Sequence, residues 1–238
     1  LTVPPADVQH DSSTLASLAS DAQRAMAVSH PNIAALYESG EDGGRMYLAF
    51  EFVPGDALNR VISGRPLNVR RAIDLAGQIA DALAEAHAAE MPHGDLTSQR
   101  VVVTPKGNAK ILDFGFARWT STDGAAGDEA ADLRALGSLL FEMLTGKTPA
   151  AGASVPTAVN KSLPSEVDAL VAKPYESAVM FAADLRSFAA VLQVRAEAAD
   201  KSRPAPVRGV PRRSKIPWVI GATLAAAATL AAAWWWLR

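Results

Sequence analysis

The chain has no cysteine. Disulfides, thiolate metal sites and a cysteine nucleophile are therefore excluded. Acidic residues are absent from the C-terminal end. All 25 Asp and Glu lie in residues 1–200, against 16 Lys and Arg there. Residues 201–215 then hold Lys201, Arg203, Arg208, Arg212, Arg213 and Lys215 and no acid. An acidic globular part followed by a basic connector is the reading of this split. The connector has three prolines and no apolar periodicity, so nothing drives it to fold. Nucleic-acid binding explains these cations poorly, because a long apolar run follows them.

That run, Ile216 to Leu237, contains no charge at all. Its 22 residues span about 33 Å as a helix, close to a bilayer core of roughly 30 Å. Trp218 stands near one end and Trp234, Trp235 and Trp236 at the other, where amphipathic rings favour the two interfaces. Arg212, Arg213 and Lys215 flank the N-terminal side. The expectation is a single transmembrane helix over 216–237, with the preceding domain on the cytoplasmic face of the inner membrane. A buried Ala-rich core helix is the alternative, and the Trp placement and flanking cations weigh against it. Gly221 and Ala225 have small-xxx-small spacing, which permits a homodimer through this helix.

Within the main domain, Leu15, Leu18, Ala22, Ala25 and Met26 place one apolar side on a helix over 14–29. Strands are expected over 33–38 and 45–53, with a turn at 40–44. A short helix is expected at 57–62. Leu75, Ile79 and Leu83 mark a helix over 69–88. Two short strands, 101–104 and 109–112, flank the turn Pro105-Lys106-Gly107-Asn108. Leu136, Leu139, Leu140, Met143 and Leu144 mark a helix over 130–145 stopped by Gly146. Ser165 and Asp168 read as a capping box. A last helix over 177–199 carries Met180, Phe181, Leu185, Phe188 and Leu192. The order gives an α+β pattern with a mostly helical second half.

Five segments then stand in a telling order. They are His30-Pro31-Asn32-Ile33, Tyr47 to Gly55, His93-Gly94-Asp95-Leu96, Asp113-Phe114-Gly115 and Asp132 to Gly146. Together they resemble the signature set of bacterial eukaryotic-like (Hanks-type) serine/threonine protein kinases. The resemblance implies a protein-kinase-like fold over 1–198, with an N-lobe remnant at 1–53 and a C-lobe at 54–198. Residues 199–215 form the linker. It implies ATP and Mg²⁺ as cofactors, Asp95 as catalytic base and Asp113 as principal Mg²⁺ ligand. Phe50 takes the gatekeeper position, and Glu51 and Val53 belong to the hinge beside the adenine. The plainer role for Asp95 and Asp113 is as hydrogen-bond hubs holding two loops.

The pattern also breaks. Gly94 replaces the Arg of the catalytic motif, Thr97 its phosphate-holding Lys, and Arg100 the Asn that would ligate a second metal. A guanidinium has no lone pair for a metal. Arg100 is expected to repel or replace Mg²⁺, or else to swing to solvent or pair with an acid. Only 18 residues separate Asp113 from Asp132, and no Ala-Pro-Glu motif or Gly-rich phosphate loop is present. Thr120, Ser121 and Thr122 stand there as ordinary solvated loop or phosphorylation targets. Leu1 falls near the expected strand-three Lys, and Asp21 falls where the helix-C Glu would be.

The first expectation is a membrane-tethered pseudokinase that binds or scaffolds protein partners. An active serine/threonine kinase, with missing parts encoded upstream, is the second. A decaying remnant that keeps only its membrane attachment is the third.

Overall fold

The computed structural model describes residues 2–3, 12–43, 45–116, 119, 127–150, 155–201 and 234–236. The chain divides into two units, Leu1–Arg195 and Ala196–Arg238. In the first, helix α1 (Ser12–Ala27) precedes a hairpin of β1 (Leu36–Asp42) and β2 (Arg45–Phe50). Then come β3 (Asp56–Ala57), α2 (Leu58–Ile62), α3 (Val69–Ala88), β4 (Val101–Val103) and β5 (Ala109–Ile111). Helices α4 (Glu129–Thr145), α5 (Pro156–Val159), α6 (Glu166–Ala172) and α7 (Ala178–Lys201) follow, the last crossing the boundary at Arg195.

The hairpin lies further along the chain than its apolar residues suggest. β1 and β2 pair antiparallel from Leu36 with Phe50 to Asp42 with Arg45. Residues 40–42, expected within a turn, extend the ladder, with Glu41 and Asp42 exposed to water. Ile33, expected to open the first strand, instead makes one parallel bridge to Ile111. Ala34 N–H donates to the Ile111 carbonyl at 2.8 Å, and Ile111 N–H donates to the Asn32 carbonyl at 2.8 Å. This short link ties the hairpin to the small sheet. On the other side of the hairpin, Thr2 and Leu48 exchange N–H donations at 2.8 and 2.9 Å. Residues 2–3 therefore contribute a strand contact.

The second sheet has order β3-β4-β5. Its first member, only two residues long, leaves no period-2 pattern to read. Leu75, Ile79 and Leu83 of α3 and Leu136, Leu140, Met143 and Leu144 of α4 are buried in one core with Ile111, Phe116 and Phe181. Two expected core residues are exposed instead: Met26 at 41% and Met180 at 43%. In each case the buried stripe passes one position to the side, through Ala25 and Phe181. The Ser165–Asp168 pair is not a capping box. Ser165 makes no side-chain cap bond. Asp168 instead accepts from the Thr157 N–H at 2.9 Å, binding α5 to α6.

Among the described residues no helix is long and apolar enough to cross a membrane. Segment 216–237 lies outside the described residues except for 234–236, which are helical with all three tryptophans exposed.

Helix α4 ends at Gly146 with φ +73°, its N–H donating to the Glu142 carbonyl at 2.8 Å. A Cβ there would lie 2.6 Å from the Gly64 carbonyl oxygen. Gly146→Ala is expected to lower unfolding free energy by about 2 kcal/mol in urea titration, combining left-handed strain with a backbone clash.

Candidate functional site

The site is built on two loops. One, residues 91–100, joins α3 to β4; the other, 112–116, follows β5. Helix α4 holds the first from below. Asp132, in its first turn and fully buried, accepts the His93 N–H at 2.7 Å and the Gly94 N–H at 2.8 Å. Its Oδ2 also receives His87 Nε2–H at 2.9 Å. A carboxylate at a helix N-terminus with three donors is a satisfied buried charge. Sequence reading took Asp132 only as the start of a helix motif and missed this role. Its one signal was an acid in the first turn, ahead of the apolar stripe.

Gly94 adopts φ +82°. A Cβ on Gly127 would come within 2.3 Å of the Gly94 Cα. The left-handed φ favours glycine over arginine at 94, and the close approach of the two backbones requires glycine at 127.

His93 connects the loops. Its Nδ1 accepts the Asp95 N–H at 3.1 Å, and its Nε2 lies 3.1 Å from the Leu112 carbonyl. A carbonyl can only accept, so the neutral imidazole protonated at Nε2 satisfies both bonds. A doubly protonated ring would face the Asp95 N–H with another N–H. Burial pushes the His93 pKa down; Asp132 opposes this and Arg100 reinforces it. Phe114 packs edge-on to the same ring, centroids 5.1 Å apart.

Asp113 has φ +53°, a left-handed conformation that Asp tolerates better than most residues. The second loop thus turns with Asp113 facing the first. Arg100 closes the gap. Its Nε donates to Asp95 Oδ2 at 3.0 Å, and its Nη1 to Asp113 Oδ2 at 2.9 Å. Nη2 lies 3.0 Å from the same Asp95 oxygen. Of the expected behaviours of Arg100, pairing with acid is realised twice over. Thr97 is exposed; Asp95, Thr97, Arg100 and Glu142 line a 630 Å³ cavity between the loop and α4.

The hinge positions sit above. Phe50 packs edge-on against Phe116, centroids 5.5 Å apart. Glu51 is ion-paired to Lys110, whose ammonium also donates to the Ile33 carbonyl at 3.2 Å. Burial works against ionisation of Glu51, but the Lys110 ammonium and the Ala35 N–H together lower its pKa. Val53 is half-buried just beyond. Asp21 is buried on α1, paired with Arg24 and accepting Trp119 Nε1–H at 2.8 Å. Trp119, three residues past Phe116, is a second contact sequence reading did not foresee.

A protein kinase domain model matches residues 6–128. This chain belongs to the protein kinase family. The kinase domain is 30% identical to the serine/threonine-protein kinase PrkC of Bacillus subtilis, over 67% of this chain and 28% of that protein. It is 29% identical to the serine/threonine-protein kinase pkn3 of Myxococcus xanthus, over 86% of this chain and 45% of that one. Identity to PknA of Mycobacterium tuberculosis is 32%, over 60% and 39%. The chain thus spans less than half the length of these relatives. Its fold matches the crystal structure of the Mycobacterium tuberculosis PknI kinase domain with a TM-score of 0.67 at 22% identity, covering 78% of this chain and 84% of that one.

The family in general uses ATP and Mg²⁺. The residues present do not fit the metal. Mg²⁺ demands oxygen ligands in near-octahedral array, and here a guanidinium stands at 100, where a second ligand would be, and bonds Asp113, the expected first one.

Because folded His93 binds its proton less readily than the unfolded chain, stability is full above the ordinary imidazole value of 6.5 and falls as pH drops below it. Glu51 and Asp184, with lowered pKa, lose their contributions only below their ordinary values of 4.5 and 3.8. The melting temperature should therefore decline between about pH 6.5 and pH 5, and His93→Gln should flatten that slope in thermal scans.

Proposed function

We propose that this chain is a membrane-anchored pseudokinase, a kinase-like module that binds or scaffolds protein partners at the cytoplasmic face. The observation carrying this reading is the Asp95–Arg100–Asp113 bridge. Phosphoryl transfer needs a carboxylate to orient the acceptor hydroxyl, metal on the phosphates and cations on the transferred oxygens. Asp95 and Asp113 are both spent on Arg100, and Thr97 offers no charge. Asp21 is held by Arg24 and Trp119. Membrane anchoring is supported by the uncharged run 216–237, the cations before it and the exposed tryptophans at its end.

Two measurements test the reading. Purified full-length protein is expected to incorporate no phosphate from radiolabelled Mg-ATP into itself or a general acceptor protein. Incorporation that Asp95→Asn abolishes would refute the pseudokinase proposal. Wild type is expected in the membrane fraction, and a variant lacking 216–238 in the soluble one; wild type in the soluble fraction would remove the anchor.

A further inference from the structure

The family's metal has no room here, and the side chain in its way has a specific chemistry. We infer that Arg100 is a built-in substitute for the divalent cation, a fixed positive charge that joins Asp95 to Asp113 and closes the site to metal. This rests on the non-catalytic reading above and adds what the site holds in place of its cofactor.

The position of the guanidinium is fixed from its own backbone. Arg100 N–H donates to the Thr97 carbonyl at 3.0 Å, and its carbonyl accepts the Leu112 N–H at 2.8 Å. Arg100 therefore stands at the crossing of the two loops, one residue before β4. From there its fork reaches one oxygen of each carboxylate at 2.9–3.0 Å. The Arg100 side chain is only 20% exposed, so it does not swing into water.

Charge and valence point the same way. Two carboxylates facing each other across a gap repel and need a cation between them. A divalent ion or a guanidinium satisfies that need, but not both together. The metal would have to displace an ion pair held by the chain itself, while the guanidinium repels it and donates no lone pair. Among the described residues, no cluster of three His, Asp or Glu offers an alternative metal site. Asparagine at 100 would reverse the situation. It would remove the cation and add an amide oxygen beside two carboxylates, an oxygen donor set suited to Mg²⁺ or Mn²⁺.

The experiment uses the full chain in detergent micelles, without nucleotide. Mn²⁺ uptake is read by loss of the free-ion electron paramagnetic resonance signal. Thermal unfolding is compared in Mg²⁺ and in EDTA. Wild type is expected to take up no Mn²⁺ at millimolar concentration and to melt at the same temperature in both buffers. Arg100→Asn is expected to bind Mn²⁺ at least about tenfold more tightly than wild type and to melt higher in Mg²⁺ than in EDTA. Arg100→Lys, which keeps the cation, should behave as wild type. Mn²⁺ binding by wild type, or a melting temperature that EDTA lowers, overturns the inference; so does a folded Arg100→Asn that ignores metal. Should Arg100→Asn fail to fold, wild type and Arg100→Lys decide it alone. Phosphate transfer without Mn²⁺ uptake by wild type would sink the pseudokinase proposal and leave this one standing. Mn²⁺ uptake without transfer would sink only this one.

Discussion

Asp132 is the carboxylate on which the site depends. It is fully buried, and its two oxygens take up two consecutive backbone N–H groups of the 91–100 loop and one imidazole. Leaving any of these unpaired in the core would cost about 1–3 kcal/mol, more for the charge itself. The loop therefore has one low-energy position, set by α4. Asp95 and Arg100 inherit their places from it. Helix α4 is in turn fixed by its apolar face against α3, so the core and the polar site are two sides of one helix.

From that anchor outward, charges are settled within the chain. In the family's chemistry, Asp95 and Asp113 act through nucleotide, metal and acceptor. Here both carboxylates meet Arg100. Glu51 at the hinge meets Lys110, and Asp21 on α1 meets Arg24 and Trp119. Each pair joins segments distant in sequence or stiffens one helix, so side chains of the chain itself hold the loops in place.

The helices and the loop motifs were legible in the sequence because their signals are local. Leu75, Ile79 and Leu83 repeat at helical spacing, and α3 runs over the expected residues. Gly146 marks the end of α4 because only its left-handed backbone permits that stop. The hairpin was less legible, since its ladder extends through Glu41 and Asp42, polar residues that a burial pattern reads as turn. The strand at 56–57 was invisible, because two residues carry no period. Within the candidate site, identities were legible and pairings were not. The sequence shows Arg at 100 in place of a ligand but cannot show which acid it meets. Trp119 with Asp21 lies 98 residues apart, and no local pattern connects them.

These pairings also bear on whether the domain is a relic. Substitutions accumulating without constraint leave buried polar groups without partners, because each partner is lost independently. The altered positions here do the opposite. Arg replaces a metal ligand and bonds both Asp95 and Asp113. Glycine replaces arginine at 94 where the backbone is left-handed. Among the described residues, a single buried side-chain polar atom, His87 Nδ1, lacks a hydrogen-bond partner. Its ring is already anchored through Nε2 to Asp132. Partners for Arg100 and a left-handed backbone that suits Gly94 fit a domain held to its fold, in keeping with the proposed reading rather than with drift.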